Sequence, residues 1–271
     1  MVDKKHILQF QEKIFAWYQK NQRELPWRKT RDPYSILVSE VMSQQTQIGR
    51  VIPKYEAFLK AFPTVEALSQ VSTGEVLRMW SGLGYNRRAL NLQKAAKVIV
   101  EEYKGVFPQS LKEIEKLPGI GRYTARALAC FAFDQQVAVV DTNIRKVIAV
   151  EFFNGQLPDE KIIEEVAQGI LPQEKAYEWN QALMDYAGAV LKENKIPIPK
   201  QSHFFTSNRY LRGQIIKQLL LCHSCSLGEL ESYFEERGRK VTKNELIFII
   251  DTLQKEGFLK RQGEIVRLSE V

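Results

Sequence analysis

Two acidic residues stand out for the chemistry their neighbours allow. Glu40 lies in a partly apolar run, with Ile36 and Leu37 one helical turn before it, Ser43 and Gln44 one turn after it, and no basic residue at helical spacing. A carboxyl group on such a face loses hydration when covered, so its pKa rises and it can donate a proton near neutral pH. The plainer alternative is a solvated helix Glu, the commoner state of that residue type. Asp141 follows Val137-Ala138-Val139-Val140 and precedes Thr142-Asn143-Ile144-Arg145-Lys146-Val147, which places it at a helix start. There it acts as an N-cap worth about 0.5–2 kcal/mol, and the same backbone N–H groups would keep it ionised. One protonated and one ionised carboxyl form the pair that breaks glycosidic bonds. Linear spacing does not show that the two meet.

Three further segments carry candidate chemistry. Leu117-Pro118-Gly119-Ile120-Gly121 sits between helical runs. Its two glycines can take dihedrals closed to other residues and present consecutive N–H groups to a phosphate oxygen. Arg122 and Arg126 could reinforce that site; a tight turn between helices with no ligand is the alternative. Gly82-Leu83-Gly84-Tyr85-Asn86-Arg87-Arg88 combines a turn, an aromatic and two cations, suited to stacking and phosphate contact, unless Tyr85 is tucked into the core. Cys222-His223-Ser224-Cys225 has no second pair, so buried small residues are expected rather than a zinc or redox site.

Helices must position most of these groups. Apolar residues Ile7, Phe10, Ile14, Trp17 and Tyr18 recur at helical spacing, and Asp32-Pro33 is a start signal for a helix expected to run to about Gly49. Helical patterns over 51–62, 64–71, 73–80, 88–103 and 110–116 continue to about Lys195, an all-α reading in which only Val137 to Val140 could be a strand or a buried turn. Lys195 to Ser207, with Pro197 and Pro199, reads as a linker. Beyond it, Ser226 with Glu229 and Thr242 with Glu245 fit capping boxes, and short strands flank Gln262-Gly263. Three helices and a hairpin predict a winged helix-turn-helix-like domain, open to either DNA contact or protein interaction.

With 271 residues, 44% hydrophobic and 26% charged, the chain is long enough to bury a sizeable core without disulfides, and its three Cys imply no disulfide framework. No apolar run is long enough for a membrane helix, and Met1 to Gln22 is charge-studded rather than a signal peptide, so a cytoplasmic protein is expected. The net charge of +7 fits a polyanionic partner without requiring one. Segment 201–271 holds 11 basic and 9 acidic residues, so most of the excess lies upstream.

Leu25-Pro26-Trp27-Arg28, Ser39 to Thr46, Gly82-Leu83-Gly84-Tyr85, Leu117 to Gly121, Asp141-Thr142-Asn143 and Asn180 to Asp185 occur together in one order. On these motifs the chain, over about residues 6 to 192, resembles the MutY-type adenine DNA glycosylases of the helix-hairpin-helix superfamily. The resemblance implies a helical subdomain of residues 1–30 and 134–200 carrying the catalytic Asp, a helical barrel of 31–133 with the hairpin, and a cleft between them for the target base. The winged-helix-like domain would be 208–271. By position, Glu40 matches the general acid and Asp141 the carboxylate that stabilises the sugar cation, with Asn143 and Tyr123 positioning the chemistry. Arg23, Leu25, Trp27, Arg28 and Asp185 match the base pocket. Gln45 and Tyr85 match residues that wedge into the duplex, and Gln44, Thr46, Arg87, Arg88, Gly119, Gly121 and Arg122 fall in the DNA-binding segments.

The same resemblance implies a monomer acting on double-stranded DNA with a mispaired base, away from membranes. Related bifunctional enzymes carry Lys where this chain has Tyr123, so no strand-cleaving lyase step is expected. The family's iron–sulfur cluster needs four Cys, and the aligned positions are Leu191, Ile198, Gln201 and Ser207, so no cofactor is expected. Asn86 replaces a usual second Tyr. Asn208 to Val271 stands where the family has a domain that recognises 8-oxoguanine. Adenine opposite 8-oxoguanine or guanine is the leading substrate. Thymine or uracil opposite guanine is the alternative, and a non-catalytic winged-helix DNA-binding protein a third reading.

Overall fold

The computed structural model describes residues 3–193 and 204–269. In chain order the helices are α1 (Lys4–Asn21), α2 (Pro33–Ser43), α3 (Ile48–Ala61), α4 (Val65–Gln70), α5 (Thr73–Trp80), α6 (Arg87–Tyr103), α7 (Leu111–Ile114), α8 (Arg122–Phe133), α9 (Thr142–Phe152), α10 (Glu160–Gly169) and α11 (Ala176–Glu193). There follow α12 (Asn208–Cys222), β1 (Ser224–Ser226), α13 (Leu227–Glu235), α14 (Lys243–Lys255), β2 (Leu259–Gln262) and β3 (Ile265–Leu268). No helix among the described residues is long and apolar enough to cross a membrane.

The chain divides into two compact units, Met1–Val41 with Phe107–Ile198, and Met42–Val106 with Pro199–Val271. This differs from the division expected from sequence, which put the hairpin with 42–106. One physical reason is the tie between α8 and α11, where the buried amide of Asn180 reaches the Cys130 sulfur.

In the first unit, the stripe Phe10 and Ile14 of α1 is buried with Ile144 and Ile148 of α9 and with Trp179 and Leu183 of α11. Phe10 and Trp179 meet edge to face at 5.8 Å, the arrangement favoured by their ring quadrupoles. Val137–Val140 is not a strand. Side chains of helices satisfy its backbone instead: Val139 N–H donates to Asn180 Oδ1 (2.8 Å), Asn180 Nδ2 donates to the Val137 carbonyl (3.0 Å), and Ala138 N–H donates to Gln168 Oε1 (3.0 Å). An extended run without a partner strand needs such acceptors once it is buried.

In the second unit, the Ser72–Glu75 capping box starts α5, and Trp80 is fully buried. The helix opened by Pro33 ends at Ser43 rather than near Gly49. Gln45 takes φ 53°, and the Arg88 guanidinium takes up the Met42 and Gln44 carbonyls that a continuing helix would use. The C-terminal module has the three helices and hairpin expected, plus the short β1 that completes an antiparallel sheet in the order β1-β3-β2. Cys225 is buried in β1, where burial pushes its thiol up to about 12, whereas Cys222 is exposed, contrary to the expectation that both are buried.

Candidate active site

Four helix-borne groups of the first unit converge electrostatically. Glu40 projects from α2 and is partly buried, Tyr123 lies in the first turn of α8, Asp141 caps α9, and Arg28 lies in a short 3-10 turn over Pro26–Lys29. Burial raises the Glu40 pKa to about 7, and the negative charge of Asp141 adds to the rise. The Tyr123 hydroxyl, which donates to Glu40, and the Arg28 charge pull the other way. The same burial and the two carboxylates raise Tyr123 well above its ordinary value, so its O–H stays a donor. The residues that linear spacing left unconnected are thus coupled to one another.

Asp141 is the N-cap of α9, and its Oδ1 accepts from Ile144 N–H (2.7 Å) and Asn143 N–H (2.9 Å). Asn143 therefore acts on Asp141 through its backbone, with its side chain exposed. Burial raises the Asp141 pKa despite these two donors and the charge of Lys146, a correction to the expectation that the cap alone fixes its ionisation. The pocket of charge holds a proton most readily on Glu40, because that carboxyl receives no backbone N–H in compensation.

The groups expected to line a base pocket form a closed ion-pair cluster. Asp185 is 1% exposed at its side chain, and its carboxylate accepts from Arg23 N–H (2.9 Å), Arg23 Nε (2.7 Å) and both Arg28 Nη atoms (2.8 Å each). Burial opposes ionisation, yet the two guanidinium groups hold its pKa below the ordinary value. Leu25 is in the core at 5% exposure, and Trp27 is partly buried. Asp185 and Leu25 thus support the Arg28 turn rather than presenting open surface. Tyr177 completes it, donating from its hydroxyl to the Arg28 carbonyl (3.2 Å) while Arg31 stacks on its ring at 3.5 Å.

Around the hairpin, Gly119 has φ 75°, the left-handed region that favours glycine, but Gly121 is extended at φ −90° as the N-cap of α8, so only the first glycine is conformationally required. Arg122 pairs with Glu164 while its side chain stays 58% exposed, and Arg126 donates to the Ala138 carbonyl.

In the second unit, Arg88 is likewise turned inward. Its guanidinium donates to Met42 O, Gln44 O, Thr46 Oγ1, Leu83 O and Gly84 O, and burial lowers its pKa to about 10. It clamps the 42–46 and 82–86 loops together, which holds Gln45 and Tyr85 on exposed left-handed backbone at φ 53° and 48°. Tyr85 is 43% exposed rather than tucked into the core. Gln44 is partly buried, Thr46 Oγ1 is engaged by Arg88, and Arg87 is 68% exposed at its side chain.

The sequence placed Asn180 in a motif but gave no role to it or to Tyr177; in the structure Asn180 fixes the approach to Asp141. Asn180 had a legible signal, a polar residue inside the apolar stripe Ala176, Trp179, Ala182 and Leu183, where burial obliges it to find partners. The Arg88 clamp had none, because its distant acceptors, the Met42 and Gln44 carbonyls, are backbone groups 46 and 44 positions away in the chain.

Among the described residues, no group of His, Cys, Asp and Glu is placed to hold a metal ion. Of the proposed cluster positions, the side chain of Leu191 and all of Ile198 and Gln201 lie outside the described residues, while Ser207 caps α12. The Lys195 to Ser207 linker is described only from Phe204.

Comparison with known proteins places this geometry in a family. The chain is 38% identical over 192 residues to an adenine DNA glycosylase of Buchnera aphidicola, covering 69% of this chain and 54% of that one. It is 47% identical over 137 residues to an adenine DNA glycosylase of Mycobacterium tuberculosis, covering 50% and 45%. The chain thus spans about half the length of these relatives. A solved thermostable thymine-DNA glycosylase superposes with a TM-score of 0.64 at 29% identity, covering 76% of this chain and 94% of that one. The family model for the HhH-GPD superfamily base excision DNA repair protein matches residues 38–173, half the chain, from just before the proton-bearing Glu40 to beyond the helix that Asp141 caps. With its carboxyl pair inside that match, the chain belongs to the HhH-GPD superfamily of base excision DNA repair proteins.

Proposed function

We propose that the protein is a monofunctional DNA glycosylase that removes adenine mispaired with 8-oxoguanine or guanine from duplex DNA. The observation that carries this reading is the unequal carboxyl pair, with Glu40 holding a proton up to about pH 7 beside an Asp141 bonded to two backbone N–H groups. Protonated Glu40 gives its proton to a ring nitrogen of the adenine, so the electron pair of the C1′–N bond leaves with a neutral base rather than a poor anion. Asp141 stabilises the positive charge developing on the sugar, water oxygen bonds to C1′, and the proton it releases restores Glu40. Tyr123 orients the Glu40 carboxyl and carries no amine, so no Schiff base forms and the strand is left intact. Gln45 and Tyr85 enter the duplex and offset the few kcal/mol of unstacking the flipped nucleotide.

The protein acts as a monomer without a cofactor, in the cytoplasm with the DNA. An iron–sulfur cluster does not fit the donor set, because the 271 residues contain three Cys, of which Cys130 is buried against Asn180 and Cys222 and Cys225 lie in the C-terminal module. An iron-type absorbance band in the natively purified protein would refute this.

A second reading, removal of thymine or uracil opposite guanine, is favoured by the near-complete span of the solved thymine-DNA glycosylase. One single-turnover assay separates the two, on duplexes with A opposite 8-oxoguanine, A opposite G, T opposite G and U opposite G. Base release from the adenine pairs is expected, and release only from the pyrimidine pairs would overturn the adenine assignment.

A further inference from the structure

A cleft of about 760 Å³ lies wholly within the second unit, with α12 as one wall and the start of α3, the 81–88 loop and the start of α6 as the other. Six cations line it, Arg50, Arg87, Arg88, Arg209, Arg212 and Lys217, and no acidic residue does so among the described residues. The segment from 201 onward has almost balanced charge, so Arg209, Arg212 and Lys217 represent a concentration of its few excess cations on one face of α12. Glu256, which is not part of the lining, pairs with a cation of each wall. It is 15% exposed at its side chain and accepts from Arg212 at 2.5 Å and lies 3.8 Å from Arg87, which pins one cation of each wall in place. Arg50 and Lys217 are exposed on opposite walls and make no ion pair among the described residues.

Two aromatic rings share the cleft. Tyr85 is 43% exposed and Phe204 59% exposed, and Arg209 Nη1 of α12 reaches to 3.4 Å from the Tyr85 hydroxyl. Cations with unshielded rings, and no carboxylate, match a sugar–phosphate backbone with adjacent bases. Arg209 and Lys217 are eight residues apart on the helix, about 12 Å along its axis. That distance spans roughly three phosphates of one strand at about 3.4 Å of axial rise each.

We propose that this cleft grips the backbone of duplex DNA, with α12 supplying phosphate contacts through Arg209 and Lys217, so that the C-terminal module is part of the DNA-binding surface and not a protein-interaction appendage. The inference rests on the glycosylase reading for its partner. It assigns to the module a contact that the carboxyl site does not require.

The test is the salt dependence of binding to a mismatch duplex by the full chain, with no excision readout. The double variant Arg209→Ala and Lys217→Ala should lower the slope of log K against log salt by about 2, since each phosphate contact contributes about 0.9. The affinity lost between 50 and 200 mM salt should then shrink by about tenfold relative to wild type. The charge-matched variant Lys240→Ala and Lys260→Ala, at exposed positions of the module outside the cleft, should keep the wild-type slope. Unchanged slope in the cleft variant, with wild type binding normally and an unaltered thermal melt, would overturn the inference and leave the glycosylase reading standing. An equal slope change in the charge-matched variant would also overturn it. Failure of wild type to bind duplex DNA at all would sink both.

Discussion

Glu40→Gln should make the folded protein more stable in alkaline solution while removing its activity. The folded-state pKa of about 7 lies above the ordinary 4.5, because burial penalises the charged form more than Tyr123 and Arg28 favour it. Protonated Glu40 therefore favours folding below about pH 4.5, and that contribution is lost as the pH rises through 7. At about 1.4 kcal/mol per pH unit of displacement, and with some relief from the solvent that still reaches a partly buried side chain, ionised Glu40 costs roughly 2–3 kcal/mol. Gln cannot ionise, and its amide oxygen can still accept from Tyr123. Denaturant titrations at pH 5 and pH 8.5 should show the stability of the variant gaining on wild type by roughly 1.5–2 kcal/mol between the two conditions, since an unfolded Glu is already largely ionised at pH 5. Its single-turnover rate should fall by about 10² to 10⁴, the usual worth of a general acid. The wild-type rate should decline about tenfold per pH unit above 7, as the proton-bearing fraction declines. A stability difference that is the same at both pH values would show that Glu40 is not a buried proton carrier. A variant retaining the wild-type rate would remove it from catalysis.

Asp141→Asn keeps an N-cap acceptor, so stability should change by less than about 1 kcal/mol and DNA binding should persist, while base release drops by about 10² or more; undiminished release would remove Asp141 from its role. Asp185→Ala leaves Arg23 and Arg28 facing one another without a counter-charge and should destabilise by about 3–5 kcal/mol in urea melts, more than Arg23→Ala, because Arg23 is 44% exposed at its side chain. Asn180→Ala strands the Val139 N–H in a buried segment, at a cost of about 1–3 kcal/mol, and should slow single-turnover excision without changing DNA affinity. Equal losses of rate and affinity there would show a global rather than a local effect.

Local sequence rules determined much of this protein. The apolar stripe through Phe10 and Ile14, the start at Pro33, the Ser226 capping box and the Asp141 cap all depend on residues within one or two turns, and each stands where spacing put it. Boundaries set by distant partners were not legible. The α2 stop at Ser43 depends on Arg88, 45 positions along the chain, whose guanidinium draws off the carbonyls of Met42 and Gln44. The Val137–Val140 run takes no strand partner because Asn180 and Gln168 satisfy it from other helices. The same holds for the site. Residue types nominated Glu40 and Asp141, but a pKa depends on what covers a carboxyl and which charges lie near it, and those neighbours come from helices that only folding brings together. Tertiary structure alone raised the Glu40 pKa, turned Arg88 and Asp185 inward as clamps, and gathered the cations of α12 opposite Tyr85.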